Sequence, residues 1–193
     1  FEPGSVTKPF VMAKALELKK ISLNEIHNCE NSGRFEVAPK QWIHDDHPEG
    51  LLSSAQVIAK SSNICIFKIA RKVGKENLWS SFKEFGFGEN NSRLKFPGSN
   101  PGRMSLYKDW TEIRFANISF GQGFLVSGLE MVQAFSAFAN GGNLVSPFVL
   151  DRIENDKGQI IFHTSPNSRR IFSPKTSKYM KKILSKVVTH GTA

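Results

Sequence analysis

A chain of 193 residues that is 39% hydrophobic and 22% charged, with 16 Phe and 3 Trp, holds enough apolar mass for a core without metal or disulfide staples and too much for intrinsic disorder. Its 26 basic against 17 acidic residues leave a net charge of +9, which raises the question of an anionic partner, but the surplus is scattered in pairs such as Lys19-Lys20, Arg169-Arg170 and Lys181-Lys182 and reads as a solvated surface, not a nucleic-acid stripe. No run reaches the roughly 18 to 20 apolar residues of a membrane span, and the opening Phe1-Glu-Pro-Gly4, with no initiating Met, lacks the basic and apolar parts of a signal peptide and looks cut from something longer.

In chain order, Val6, Phe10, Ala13 and Leu16 recur at intervals of four and three, which predicts an amphipathic helix from about Ser5 to Lys20. Pro9 is tolerable only in its first turn, so Ser5 falls at the helix start. A polar stretch follows, with one short alternating run near Arg34 to Val37 and then loop chemistry from Trp42 to Gly50. Ser53 or Ser54 caps a helix to about Lys60, and Ser61-Ser-Asn63 interrupts before a second helix from Asn63 to Val73, stopped at Gly74. A third runs from about Lys75 to Phe85 and ends in the Gly-Phe-Gly of 86 to 88, after which the stretch around Phe96 to Gly102 reads as loop.

Met131, Phe135 and Phe138 then mark a core-facing helix that stops at Asn140-Gly-Gly142. Pro147 to Asp151 and Gln159 to His163 flank the turn Asn155 to Gly158 as a hairpin, and a last helix covers Ser177 to Val188. The sum is about six helices and one hairpin, without repeats and without the helix–strand alternation of a parallel-sheet nucleotide fold. Cys29 and Cys65 give no reason to expect that they meet, and both read as inert. His44-Asp-Asp-His47 is a poor metal site, because four adjacent residues cannot readily turn every side chain to one ion.

A serine followed three positions later by a lysine places hydroxyl and amine on one helix face, the smallest unit of a serine acyl-transferase that uses lysine as base. Four such pairs occur: Ser5/Lys8, Ser80/Lys83, Ser92/Lys95 and Ser105/Lys108. Only Ser5 follows a Pro-Gly turn at the head of an apolar helix, where free N–H groups favour developing negative charge. Lys8 becomes a base only if burial lowers its pKa. Of the Ser-x-Asn tripeptides, at Ser22/Asn24, Ser61/Asn63 and Ser165/Asn167, only Ser61/Asn63 lies between two apolar helices, where hydroxyl and carboxamide can face a cleft.

Glu2-Pro-Gly-Ser-Val-Thr-Lys-Pro-Phe10 resembles the nucleophile motif of class B penicillin-binding proteins, the D,D-transpeptidases that cross-link peptidoglycan. Asp46-His-Pro-Glu-Gly50 with Val57 to Asn63 is similar to the family's approach to its second motif. Phe85-Gly-Phe-Gly88, Pro97-Gly98, Ile118 to Gly123 and Gln133 to Gly142 resemble its later segments in the same order, so the likeness covers nearly the whole chain.

The resemblance implies an α+β fold, residues 1–193 being the helical part of a penicillin-binding/serine β-lactamase-like transpeptidase domain without most of its central antiparallel sheet. It implies Ser5 as nucleophile, Lys8 as its base, Ser61 as proton relay, Asn63 as holder of the donor stem-peptide amide, and Phe120, Gly121, Gln122 and Gly123 as a strip lining the cleft. It further implies no cofactor or metal, peptidoglycan stem peptides as substrate, β-lactam antibiotics as acylating ligands, and no nucleic acid. The implied location is the bacterial cell envelope, on the extracytoplasmic face of the inner membrane, with membrane-associated cell-wall synthesis partners reached through regions outside this chain. The third family motif, Lys-Ser/Thr-Gly, occurs nowhere in the sequence and is expected shortly beyond Ala193. Two other readings stay open, a penicillin-sensing relative that acylates without turnover and an inactive structural piece of such a domain.

Overall fold

Helix start signals do much of the work of placing elements. In the computed structural model, which describes residues 1–88 and 101–191, Ser53 caps helix α2 (Ser54–Ala59) in a reciprocal box with Gln56, and Ser62 caps α3 (Asn63–Val73). These caps satisfy N–H groups that a helix leaves without internal acceptors. Helix α1 (Lys8–Glu17) is preceded by a 3-10 turn at Gly4–Thr7, so Ser5 sits in that turn and not in an α-helix. Pro9 stands in the first turn of α1, where its missing N–H needs no partner.

The expected amphipathic character of this helix is a correction: α1 is buried almost all round, Phe10, Val11, Met12 and Ala15 are wholly inaccessible, and Val6 is the exposed one. Helix α3, α4 (Lys75–Glu84) and α7 (Pro174–His190) surround it. Phe10 sits at the centre of an aromatic cluster, with ring centroids 4.7 Å from Phe85, 5.1 Å from Phe87, 4.9 Å from Phe135 and 5.3 Å from Phe138. The Phe stripe of α6 (Gly128–Ala139) is therefore core, as its spacing suggests.

Eight short strands form four separate two-stranded antiparallel ladders among the described residues: β1 (Ile26–Asn28) with β4 (Leu51–Ser53), β2 (Arg34–Ala38) with β3 (Gln41–His44), β5 (Asn143–Val145) with β8 (Ser168–Arg170), and β6 (Arg152–Glu154) with β7 (Ile160–His163). Helices carry the mass, the strands are short and no ladder among the described residues is parallel, in keeping with the α+β expectation.

Four sequence expectations are corrected. Residues 42–44, read as the start of a loop, belong to β3. The hairpin turns at Asn155 to Gly158 as expected, but its first strand starts at Arg152 and leaves 147–151 outside it. A helix without a counterpart in the sequence reading, α5 (Glu112–Ser119), follows the capping residue Thr111. It is a short helix, and its Ile118 was read with the Gly-rich segment that follows. Cys29 and Cys65, which gave no reason to pair, are joined in a disulfide with their Cα atoms 4.9 Å apart. Cys29 follows β1 and Cys65 lies in α3, 36 positions apart, a proximity that loop composition does not reveal. The loop near 96 to 102 lies mostly outside the described residues, as do Ser92/Lys95 and Pro97-Gly98.

Candidate active site

Two walls meet over the head of α1. The first is the 3-10 turn, fixed from below by the buried helix and from the side by the segment after α5: Gly4 donates its N–H to the Gly121 carbonyl at 2.9 Å, and Val126 donates to Phe1 O at 2.9 Å. Gly121 has φ +89°, and a Cβ there would run into the Gly4 carbonyl. Only glycine allows two backbones to approach so closely in that conformation.

The second wall comes from β3 and the turn before α3. A cleft of about 350 Å³ opens between the walls, lined on one side by Gly4, Ser5, Phe120 and Gln122 and on the other by Trp42, His44, Asp46 and Asn63. The exposed Ser5 hydroxyl faces it without a hydrogen bond to any described residue.

Beneath the cleft lies Lys8, 2% exposed. Its Nζ donates to the Ser61 hydroxyl at 2.8 Å and to the Ser61 carbonyl. Burial lowers its pKa to about 8, with Asp45 and then Asp46 opposing the shift through their negative charge. Ser61 holds its position at φ +57°, a left-handed conformation uncommon for serine. Asn63, the first residue of α3, donates its Nδ2–H to the His44 carbonyl at 2.8 Å.

Of the residues singled out from sequence, Ser5, Asn63, Phe120 and Gln122 line one cleft, with Lys8 and Ser61 bonded below. Gly121 forms the backing between the walls. Gly123 donates its N–H to Glu2 Oε1 at 2.8 Å and faces a neighbouring groove with Arg103 and Arg114. In the other Ser/Lys pairs within the described residues, Ser105 accepts from the Trp110 indole at 3.0 Å, and Lys83 donates to the Gly88 carbonyl at 2.6 Å.

Trp42, His44, Asp45, Asp46 and Asn117 were not read as site residues. The first four were hidden by the loop reading of 42–50, although Trp42 and His44 flank the buried Ile43 in the period-two pattern of a strand. No group of three or more His, Cys, Asp or Glu among the described residues could hold a metal ion.

The family model for the penicillin-binding protein transpeptidase domain matches residues 1–193. A Pseudomonas aeruginosa protein described as a probable peptidoglycan D,D-transpeptidase, PbpC, is 36% identical over 97% of this chain and 31% of its own length. The TP domain of Burkholderia pseudomallei penicillin-binding protein 3 superposes with a TM-score of 0.84 at 34% identity, over 97% of this chain and 54% of that one. Penicillin-binding protein 3 of Mycobacterium tuberculosis, solved in complex with aztreonam, gives a TM-score of 0.89 at 26% identity, over 100% of this chain and 42% of that one. The chain thus spans about a third of the length of the curated relatives it matches.

Proposed function

Because the chain belongs to the penicillin-binding protein transpeptidase family, we propose that it carries the nucleophile, base and relay of a peptidoglycan D,D-transpeptidase. The observation that carries this reading is the buried Lys8 amine, bonded to Ser61 under the cleft that Ser5 and Asn63 line. A neutral amine has two N–H donors and one lone pair. Both donors are engaged by the two oxygens of Ser61, which leaves the lone pair to take the Ser5 proton. With a pKa of about 8, roughly a tenth of the lysine is neutral at pH 7, enough for general-base work.

In this mechanism Ser5 Oγ attacks the carbonyl of the D-Ala-D-Ala bond and its proton passes to Lys8. Lys8 returns that proton through the Ser61 hydroxyl to the departing amine as the peptide bond breaks and D-alanine leaves. A neighbouring stem's amine then attacks the acyl-enzyme, giving its proton back along the same path to Ser5. Asn63, anchored through Nδ2 to His44, presents its carbonyl oxygen to a donor amide, and Phe120 and Gln122 flank the bound stem. β-Lactams enter as carbonyl mimics whose leaving group stays tethered. The Cys29–Cys65 bridge supports an oxidising location on the extracytoplasmic face of the inner membrane, since such bonds persist there. Membrane-associated partners would be met through regions outside this chain.

Intact-mass measurement after incubation with a penicillin tests the reading, in this chain and in the full-length protein that contains it. The expected result is one adduct, absent in Ser5→Ala. An adduct that survives Ser5→Ala in the full-length protein would overturn the nucleophile assignment.

A further inference from the structure

Basic residues that stand far apart in the sequence converge at the end of α1 remote from Ser5. That helix closes on Lys19 and Lys20: Lys19 takes φ +54°, and the Lys20 N–H donates to the Ala15 carbonyl at 2.9 Å. The turn delivers both lysines to the start of α7, where Lys175 joins them around a groove of about 620 Å³. The buried Leu16 and Ile21, with the half-buried Leu23 and Tyr179, give this groove an apolar lining. Its two carboxylates are already engaged, Glu17 by Ser173 and Thr176 and Glu25 by Lys72.

From the groove a stripe of lysine continues along α7. Lys175, Lys178, Lys182 and Lys186 are exposed and recur at intervals of three, four and four, so they share one face roughly 16 Å long, with Lys181 at its edge. No Asp or Glu occurs in α7, and among the described residues none of these lysines, nor Lys19 or Lys20, has an ion-pair partner. The stripe works against the helix that bears it. Lys175 stands in the first turn, at the positive end of the dipole, with no acidic residue there to balance it. Lys178/Lys182 and Lys182/Lys186 are like charges at the four-residue spacing, which repel. A solvated surface gains nothing from this arrangement, whereas an anion laid along it removes the repulsion.

We infer that this face docks an acidic polypeptide segment of a partner protein, with an apolar side chain entering the groove and a run of carboxylates following the lysines of α7. Two features choose a polypeptide over a lipid surface. The groove is concave and apolar-lined, out of reach of headgroups lying in a plane. Helix α7 also turns its apolar Met180 and Ile183 into the core, where a helix seated on a bilayer presents such residues outward. The length of α1, about 15 Å, separates this face from Lys8, so the docking surface does not depend on the catalytic reading.

The test is fluorescence anisotropy of a labelled peptide, one phenylalanine followed by about six glutamates, which spans the stripe in extended form. It is titrated with the full-length protein that contains this chain, and a glutamate-only peptide and phosphatidylglycerol vesicles serve as rival probes. The phenylalanine peptide should bind at about 50 mM salt and weaken severalfold at about 300 mM. The paired change Lys178→Gln with Lys182→Gln should lower its affinity about threefold to thirtyfold, and Lys19→Gln with Lys20→Gln should act alike. Loss of the phenylalanine from the probe should cost about tenfold. Thermal melting of the Lys178→Gln, Lys182→Gln protein should be unchanged or higher, because like charges are gone from the helix. Wild-type affinity in both paired variants overturns the inference, as does equal affinity for the two peptides. So does a wild type that binds the vesicles and not the peptide, or binds neither. A lower melting temperature in the α7 variant would assign the lysines to the helix itself and overturn it as well.

Discussion

The two walls of the cleft are held in different ways. The wall that carries Ser5 and Lys8 rests on α1, whose Phe10, Val11 and Met12 are wholly buried against aromatic rings, so non-directional burial fixes it. The wall that carries His44, Asp46 and Asn63 is built from β3, exposed except at Ile43, and the turn that enters α3. Directed bonds fix it: the Asp45 carboxylate on α3, the His27 ring on the Ser54 hydroxyl at 2.9 Å, and the Cys29–Cys65 bridge. The division suits the chemistry. A lysine base needs desolvation, which a core supplies, whereas a carboxamide that must meet a particular amide needs orientation, which bonds supply.

The comparison breaks hardest at the first wall. Phe10→Ala removes the ring around which four others pack and should destabilise the chain by about 3–5 kcal/mol, read as a lower midpoint in denaturant unfolding. The second wall should yield less to the paired change Cys29→Ser with Cys65→Ser, about 2–4 kcal/mol for a bridge of this kind. Its signature should differ too. Penicillin acylation should slow while the pH midpoint stays near 8, because Lys8 is buried by the other wall. A midpoint that moves with the cysteine pair would show that the walls are not independent.

This division also explains what the sequence made legible. Burial leaves a periodic trace, so the helices Asn63–Val73 and Gly128–Ala139 and the Phe core follow from spacing and caps. Ser5, Lys8, Ser61 and Asn63 stood out because each sits at a helix boundary that Gly, Pro or Ser announces. Directed bonds leave no such trace. Asp45 differs from Asp46 only in which way its side chain turns, and one caps a helix while the other lines the cleft. Cys29, just past β1, meets Cys65 on α3 across 36 positions, a long-range contact that neither flanking composition nor local period encodes. The three-residue strands fall below the length at which alternation is distinguishable from chance.

The smallest expected effect lies within the second wall, where a polar staple makes stability depend on pH. His27 is 7% exposed on β1, and burial lowers its pKa below 6.5, with Glu25 opposing that shift and Lys72 adding to it. Its ring bonds to Ser54, whose hydroxyl donates to the Ser22 carbonyl at 2.8 Å, so the Nε2–H is the donor to Ser54 and Nδ1 is left unprotonated. Below pH 6.5 the unfolded chain takes up a proton on this histidine that the folded chain accepts only at lower pH. Stability is therefore full above 6.5 and falls as pH drops through the folded pKa. A separate fall follows below 4.5, where Glu17 and Glu25, both held below the ordinary carboxylate value in the fold, become protonated. Thermal melting across pH 4 to 8, on the wild type and on His27→Gln, separates the two. Gln can still donate to Ser54 but does not titrate, so the decline that begins at pH 6.5 should disappear while the steeper one below 4.5 stays. Persistence of the first decline in His27→Gln would place that titration elsewhere, among groups that the polar wall does not hold.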